Sequence, residues 1–371
     1  MAALSDISSR RIKKLRRAMV RRGIDALLVT GYGNRRYLSG YRAPDMGIAE
    51  SSGYLLIPAT GTPFLLTDSR YQVQAAEEAP GFEVLLYRQG LLRLLKPLLA
   101  DFGVANLGFE EEYISHARAM KLIDGCGEAG VRVRGVSGMV ERQRRVKDEA
   151  ELAAIRASVR LNEAVFAEFL PSLYPGMSER EAALVIEGLM RSRGASGPSF
   201  PTIVAAGENS AKPHAEPSER KIKKGEPVII DMGLVLDGYC SDMTRTVVLG
   251  PVAKGLRDHI RLVRRAQLAA IDAVRAGIEA RVADRAARSI IRDAGHAEHF
   301  GHATGHGVGL DVHEAPSVGP KTYVRLRENM VVTVEPGVYI PGRAGVRLEN
   351  MVVVTRDGCE VLNHDTSFLD I

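Results

Sequence analysis

Short apolar runs alternate with helix-like stretches along the first part of the chain. Four of these runs are bounded by turn residues and have the length of buried strands, and they cover residues 26–30, 54–57, 64–67 and 84–87. Between the runs, apolar residues recur at helical spacing, for example over residues 9–22 and 90–102. The pattern predicts an α/β domain over residues 1–136.

A second pattern begins near Met139 and predicts an α+β domain over residues 137–371. Its opening helix is predicted over residues 146–170, where apolar side chains recur at helical spacing and charges fall on other faces. The apolar positions are Ala153, Ile155, Val159, Leu161 and Phe166. One further helix is expected at residues 179–193 and two more between residues 256 and 294, with strand groups at residues 202–205, 228–249 and 330–355. Each half of this domain combines helices with a strand pair that bears two acidic residues.

Composition agrees with a two-domain, soluble globular protein. The chain has 371 residues, which is longer than one core normally supports. Its net charge of +5 comes from 50 basic and 45 acidic side chains that are interspersed. The densest basic stretch, residues 10–22, fits the solvated face of a helix better than a nucleic-acid-binding arm. We therefore expect no nucleic-acid partner.

Three cysteines, Cys126, Cys240 and Cys359, are widely spaced and odd in number, which argues against a disulfide framework. The amino end has no apolar core of a signal peptide, and no run approaches the roughly 20 apolar residues of a membrane span. These features predict a cytoplasmic protein without membrane association. Cys240 is expected to be a small buried hydrophobe.

The first acidic pair lies in a predicted hairpin. An Asp-Gly turn at 237–238, between two apolar runs, is a strong hairpin signal because its residues need positive φ. With that turn, Asp231 opposes Thr244 and Gly233 opposes Asp242. The two aspartates then share one sheet face, roughly 7 to 8 Å apart at Cα, within reach of a shared cation. Taken singly, each aspartate is more often an exposed turn residue.

The second acidic pair is Glu335 and Glu349. Glu335 ends the apolar run MVVTVEPG, and Glu349 lies in GVRLENMVVV just before another apolar run. A glutamate inside such runs is costly unless a cation pairs with it. The sequence therefore predicts a second hairpin that mirrors the first.

Between these pairs lies GHATGHGVGLDVHEAP, which contains His302, His306 and His313. Glycines let the backbone approach a site closely while the imidazoles point toward it. A surface loop with incidental histidines is an equally good interpretation of this stretch alone. Carboxylates with one imidazole suit divalent ions such as manganese, cobalt, iron or zinc.

These motifs resemble those of the pita-bread metallopeptidase family, which contains aminopeptidase P, prolidase, methionine aminopeptidase and creatinase. The matching phrases are VIIDMG with CSDMTRT, GHGVGLDVHEAP, TVEPGVYI and GVRLEN, in that order. RRGIDALLVTGYGNRRYLSGY also resembles the amino-terminal domain of the prolidase and creatinase branch, so the resemblance covers nearly the whole chain. It implies a creatinase-type amino-terminal domain, a pita-bread catalytic domain and a homodimer.

The resemblance also implies roles for individual residues. Five would ligate two divalent ions, most consistent with manganese, namely Asp231, Asp242, His306, Glu335 and Glu349. Asp242 and Glu349 would bridge both ions, Asp231 would serve one, and His306 and Glu335 the other.

Three further residues are assigned by their local phrases. His214, in FPTIVAAGENSAKPH, resembles a substrate-binding histidine, and His313 resembles the one that steadies the scissile carbonyl. Arg347 would lie beside the metal ligands or face the substrate; a surface arginine paired with a nearby acid is an equally good interpretation.

The implied reaction is hydrolysis of the bond between the first residue of a peptide and a following proline. A hydroxide held between two cations, about 3.5 Å apart, would attack the carbonyl carbon. Glu335 would transfer the proton, while His313 and His214 would hold the substrate. Preference for proline rests on the resemblance alone. Prolidases need a cation for the free carboxylate of a dipeptide, and Lys321 stands about where their arginine would be, so the choice between dipeptides and longer peptides stays open.

Three alternatives remain. Methionine aminopeptidase uses the same ligand order but lacks this kind of amino-terminal domain. A creatinase-like hydrolase shares both domains but works without metal and lacks most of the acidic ligands. A non-enzymatic binding protein of this fold would also have lost ligands.

Overall fold

The computed structural model describes residues 4–48 and 50–366. The chain divides into two compact units, Met1–Arg144 and Arg145–Ile371. Each unit has its own hydrophobic core. No helix in the described part of the chain is both long enough and apolar enough to cross a membrane.

The first unit is a six-stranded mixed sheet with helices. Its strands are β1 (Ala26–Val29), β2 (Tyr54–Pro58), β3 (Phe64–Thr67), β4 (Glu83–Leu86), β5 (Asn106–Glu110) and β6 (Arg132–Val136), in the order β4-β3-β2-β1-β5-β6. Its helices are α1 (Asp6–Arg21), α2 (Tyr32–Ser39), α3 (Gln72–Glu78), α4 (Leu91–Asp101), α5 (His116–Gly127) and α6 (Glu141–Arg144). The four predicted strands and both predicted helices are confirmed, and the unit is an α/β domain.

The helices of the second unit come in two pairs. They are α7 (Glu149–Phe169), α8 (Glu179–Ser192), α9 (Lys254–Ala273) and α10 (Arg281–Asp293). The α7 helix begins with a capping box in which Asp148 and Glu151 satisfy each other's backbone N–H groups. Ile155 and Phe166 are buried as predicted, whereas Ala153 is exposed because it faces away from the core.

The strands of the second unit form four small antiparallel sheets. The strands are β7 (Gly197–Pro198), β8 (Ile203–Ala206), β9 (Pro227–Met232), β10 (Leu234–Leu236), β11 (Tyr239–Cys240), β12 (Met243–Val248), β13 (Gly305–Gly307), β14 (Glu314–Val318), β15 (Val331–Val334), β16 (Gly337–Ile340), β17 (Ala344–Arg347), β18 (Asn350–Val354) and β19 (Cys359–Val361). The sheet orders are β11-β10-β7, β12-β9-β8, β14-β13-β15-β18-β19 and β16-β17. The predicted α+β class of this domain is confirmed.

Two similar cores confirm the twofold organisation of the second unit. Residues of α7 and α8 pack against the β12-β9-β8 sheet. Residues of α9 and α10 pack against β15 and β18. Each sheet directs apolar side chains toward its own helix pair. Residues at the ends of the strands are therefore not part of these cores.

The first acidic hairpin has the predicted register. Its turn has φ values of 47° at Asp237 and 80° at Gly238, as the two-residue turn requires. Beyond the turn, β10 pairs with β11, and then Asp231 of β9 pairs with Thr244 of β12. A Cβ at Gly233 would lie 2.1 Å from the carbonyl oxygen of Ser241, so only glycine fits at this point of the hairpin.

The second acidic pair lies between the β15–β18 ladder and the β16–β17 ladder, and the same residue register continues from one ladder to the other. Val334 pairs with Asn350 at the end of the β15–β18 ladder, and Gly337 pairs with Arg347 at the start of the β16–β17 ladder. Two residues separate these pairs on each strand. Glu335 and Glu349 therefore face each other at the junction, and the predicted mirror hairpin is confirmed.

Candidate metal centre and active site

One cavity of about 550 Å³ in the second unit is lined by all five predicted ligands. Asp231 lies in β9, Asp242 directly precedes β12, and His306 is the middle residue of β13. Glu335 directly follows β15, and Glu349 directly precedes β18. Strand ends from both halves of the unit therefore bring together residues that are more than 100 positions apart.

Three of the predicted ligands lie within reach of a common ion, and a fourth, Glu335, lies beside one of them. Nε2 of His306 is 3.5 Å from Oδ2 of Asp242 and 3.3 Å from Oε1 of Glu335. Ligand atoms of Asp242, His306 and Glu349 all lie within 4.8 Å of one another. This cluster has the size and donor set of a metal-binding centre.

Two carboxylates in the cavity have one oxygen engaged and the other free. Oδ2 of Asp231 accepts a hydrogen bond from Arg347 at 2.6 Å, and Oε2 of Glu349 accepts one from Thr244 at 2.8 Å. Oδ1 of Asp231 and Oε1 of Glu349 are buried and have no hydrogen-bond partner among the described residues. Buried carboxylate oxygens without a hydrogen-bond partner are suited to ligate a cation.

The electrostatics of the cavity also favour bound cations. Burial, followed by repulsion from Glu349, Asp231 and Glu335, raises the pKa of Asp242 well above its ordinary value. Burial, followed by repulsion from Glu349, also raises the pKa of Glu335 well above its ordinary value. Such crowded carboxylates repel one another when ionised in a low-dielectric site, and divalent cations would offset that repulsion. The residues present therefore fit a metal centre.

His306 is in the chemical form that binds metal. Burial lowers the pKa of its imidazole to about 4, so the ring is neutral near pH 7. Its Nδ1 is 3.0 Å from the carbonyl oxygen of Gly307. With the proton on Nδ1, the ring donates to that carbonyl, and the Nε2 lone pair points at the carboxylates.

Four histidines line this cavity, and they include all three from the glycine-rich stretch. The rings of His306 and His313 pack edge to face with centroids 4.4 Å apart. His313 and His214 are exposed, while His302 and His306 are half-buried. The structure thus supports the interpretation in which the stretch faces a site, because incidental surface histidines would not converge on one cavity.

Arg347 is buried, with 3% of its surface exposed, so its interpretation as a surface arginine is wrong. Its Nη2 donates to Asp231, and its Nη1 donates to the hydroxyl of Tyr339 at 2.7 Å. Its Nε donates to Oγ1 of Thr244 at 3.1 Å. The guanidinium therefore holds the carboxylate of Asp231 in one orientation.

Several residues of the site were not found by sequence reasoning. Tyr339 bridges Arg347 and His302, whose Nε2 lies 3.0 Å from the Tyr339 hydroxyl. Thr333 donates to Oε1 of Glu335 at 3.1 Å. Tyr339 follows Glu335 by four positions in a β strand, and only that proximity in sequence pointed to it.

The cavity also has an apolar wall that the sequence did not identify. This wall is formed by Phe200, Pro201, Ile203, Pro213, Ala215 and Pro217. Lys321, considered above as a cation for a substrate carboxylate, is exposed and is not part of the cavity lining. Cys240 is 3% exposed and packs in a hydrophobic cluster, as expected for a small buried hydrophobe.

The fold and the site define a two-domain metallopeptidase. Residues 153–356 match the model of metallopeptidase family M24, and residues 11–146 match the creatinase/prolidase N-terminal domain. The chain belongs to metallopeptidase family M24, with a creatinase/prolidase N-terminal domain before the family domain.

Similar proteins extend over nearly the whole chain. A Xaa-Pro dipeptidase from Pyrococcus horikoshii is 32% identical over 96% of this chain and 97% of its own length. The solved structure of a Xaa-Pro dipeptidase from Bacillus anthracis has a TM-score of 0.90 and 35% identity, covering 96% of this chain and 98% of that one. The solved structure of an X-Pro aminopeptidase from Thermotoga maritima has a TM-score of 0.84 and 36% identity, covering 92% of this chain and 96% of that one. The two-domain fold predicted from the sequence is confirmed.

Proposed function

We propose that this protein is a dinuclear-metal exopeptidase that hydrolyses the bond between the first residue of a peptide and a proline at the second position. The observation that carries the proposal is the convergence of four carboxylates and one imidazole on one cavity, where two buried carboxylate oxygens have no hydrogen-bond partner among the residues that the structure describes. The names of the similar proteins support the choice of Xaa-Pro substrates.

Five residues would hold two divalent cations, most consistent with manganese, with cobalt, zinc or iron as alternatives. They are Asp231, Asp242, His306, Glu335 and Glu349. When bound, the cations would make a water molecule acidic near neutral pH and polarise the scissile carbonyl.

The chain's own residues would orient the substrate and move the proton. Glu335 would take a proton from the attacking water and deliver it to the leaving proline nitrogen as the peptide bond breaks. Because Thr333 donates to Oε1, the other carboxylate oxygen would carry this proton. His313 would donate a hydrogen bond to the carbonyl oxygen as negative charge develops there. His214, exposed on the cavity wall, would contact the proline side of the substrate. Arg347 would keep Asp231 oriented.

The apolar wall explains how a proline ring would be accommodated. The pyrrolidine ring has no N–H to offer, so recognition depends on apolar contact. Phe200 and Ile203 lie on the same cavity lining as His214 and the ligands. A proline ring placed against them would be removed from water beside the scissile bond.

We also propose a homodimer and a domain boundary at 136/137, at the end of β6. The short α6 helix follows this boundary and still packs as part of the first compact unit, which ends at Arg144. The dimer is proposed on the family resemblance, and a molar mass of about twice 40.3 kDa by light scattering would support it.

Activity of chelated protein, restored ion by ion, tests the proposed function. Xaa-Pro dipeptides and Xaa-Pro-Xaa tripeptides are assayed in parallel, with Met-Ala-Ser as a third substrate. We expect no activity after chelation, recovery with manganese, and cleavage of proline substrates only. Cleavage of Met-Ala-Ser alone would indicate a methionine aminopeptidase, and activity unaffected by chelation would indicate a metal-independent hydrolase.

A further inference from the structure

Glu314 directly follows His313, and its carboxylate forms hydrogen bonds with the backbone of the preceding loop. Its Oε1 accepts hydrogen bonds from the backbone N–H groups of Leu310 at 3.0 Å and Asp311 at 3.3 Å. A Cβ at Gly309 would lie 2.6 Å from the same oxygen, so the loop closes tightly around this carboxylate. The backbone on the amino side of His313 is therefore fixed by the next side chain in the sequence.

The other oxygen of Glu314 is paired with a buried lysine. Nζ of Lys147 lies 3.1 Å from Oε2 of Glu314, and the two side chains are only 1% and 7% exposed. The backbone N–H of Lys147 donates to the carbonyl oxygen of Asn329 at 2.9 Å, which anchors the lysine. A buried ion pair adds little stability compared with an apolar pair of similar shape, so stability alone does not account for this pair.

This geometry determines where the His313 ring lies. Gly307 pairs with Glu314 across β13 and β14, and the His313 ring packs on that of His306. Among the described residues, the His313 side chain has no hydrogen-bond partner, and the residue is exposed. The direction of the ring therefore depends on the backbone of His313, which the Glu314 carboxylate holds, and on its packing against His306.

We propose that Glu314 and Lys147 are positioning residues for His313. Neither is assigned to touch the substrate, and both would act by holding the Gly309–His313 segment in the conformation that aims His313 into the cavity. This inference rests on the proposed function, because His313 is assigned there to the scissile carbonyl.

Single substitutions give the first test. Glu314→Gln and Lys147→Met are each expected to lower kcat for a Xaa-Pro-Xaa tripeptide by about 10- to 100-fold, as displacement of a catalytic group by about 1 Å does. Manganese binding, measured by calorimetry, should stay within about threefold, because none of the five proposed ligands is changed. Glu360→Gln is the control, since Glu360 pairs with Arg156 on the surface of the same unit, and it should leave kcat unchanged.

A double-mutant cycle with His313→Ala separates positioning from stability. If Glu314 acts through His313, adding Glu314→Gln to His313→Ala should cost less than about threefold. An undiminished loss in that background would overturn the proposal.

The double variant Lys147→Met/Glu314→Met replaces the ion pair with an apolar pair and is used if the single variants do not fold. It should restore thermal stability, because no buried charge is left unpaired, but kcat should remain low because the loop has lost its acceptor. Recovery of kcat together with stability would show that the pair is merely structural.

A spectroscopic readout keeps this proposal separate from the proposed function. The ¹H–¹³C signal of the His313 ring should shift in Glu314→Gln and not in Glu360→Gln, whether or not the enzyme cleaves proline peptides. An unshifted signal would refute the positioning role. Absence of cleavage by the unmodified protein would instead refute the substrate assignment.

Discussion

Arg347 and Asp231 form a buried ion pair in which Nη2 lies 2.6 Å from Oδ2, while Oδ1 of the same carboxylate has no hydrogen-bond partner in the part of the chain that the structure describes. The guanidinium thus engages one carboxylate oxygen and leaves the other available. An arginine that only neutralised the aspartate would gain more by engaging both oxygens. The one-sided contact makes sense if the second oxygen is reserved for a cation.

Arg347→Lys should therefore impair metal binding as well as turnover. Lysine has a single compact ammonium and cannot contact Asp231, Tyr339 and Thr244 together as the guanidinium does. We expect manganese affinity or kcat to fall by about 10- to 100-fold, measured by calorimetry and by tripeptide hydrolysis. Wild-type values for both quantities would show that this contact does not orient Asp231.

Glu349→Gln should have opposite effects on activity and on the stability of the metal-free protein. Turnover should fall by about 1,000-fold or more, because several kcal/mol of charge stabilisation is lost. In chelator, however, the melting temperature should rise by a few degrees, since one buried carboxylate no longer repels its neighbours. Scanning calorimetry with and without manganese checks this, and Asp242→Asn should behave alike. A lower melting temperature in chelator would contradict the repulsion inferred for the cavity.

Thr244→Val tests the hydroxyl that joins Glu349 to Arg347. Oγ1 of Thr244 donates to Glu349 at 2.8 Å and accepts from Nε of Arg347 at 3.1 Å. Valine has nearly the same shape but can do neither, so we expect a loss of about 10-fold or more in manganese affinity or kcat. Thr67→Val is the matched control, because this buried threonine donates to Ser52 in the first unit. It should cost about 1 kcal/mol of stability and leave kcat unchanged; a similar loss of kcat in both variants would exclude a specific role for Thr244.

Stability of the first unit should decrease as the pH rises above about 5. Glu110 accepts hydrogen bonds from the backbone of Thr30 and Gly31 and from Asn34. Burial, followed by repulsion from Glu141, nevertheless raises its pKa to about 7. The folded state therefore holds this proton more tightly than the unfolded state. The resulting stabilisation is full below about pH 4.5 and is lost as the pH rises through about 7, at up to about 1.4 kcal/mol per pH unit.

Calorimetry from pH 5 to pH 8 measures this dependence. Glu110→Gln, which cannot ionise, should flatten the pH dependence of the transition it affects. An equal slope in wild type and Glu110→Gln would show that Glu110 does not titrate in this range.

Residues close together in sequence carried most of the correct predictions. The Asp237–Gly238 turn determined the register of its hairpin, because a two-residue turn leaves no freedom in how its strands pair. Helical spacing located α7 in the same way. The acidic residues were recognisable because a carboxylate in an apolar run has no other low-cost explanation.

Contacts between distant segments determined the features of the site that the sequence did not predict. The burial of Arg347, its bridge through Tyr339 to His302, and the clamp of Glu314 by Lys147 all join residues from separate elements. Periodicity and turn chemistry act over a few residues, so they determine strands, helices and the identity of the chemical groups. Which oxygen of each carboxylate is left free depends on the packing of distant segments, and only the tertiary structure could determine it.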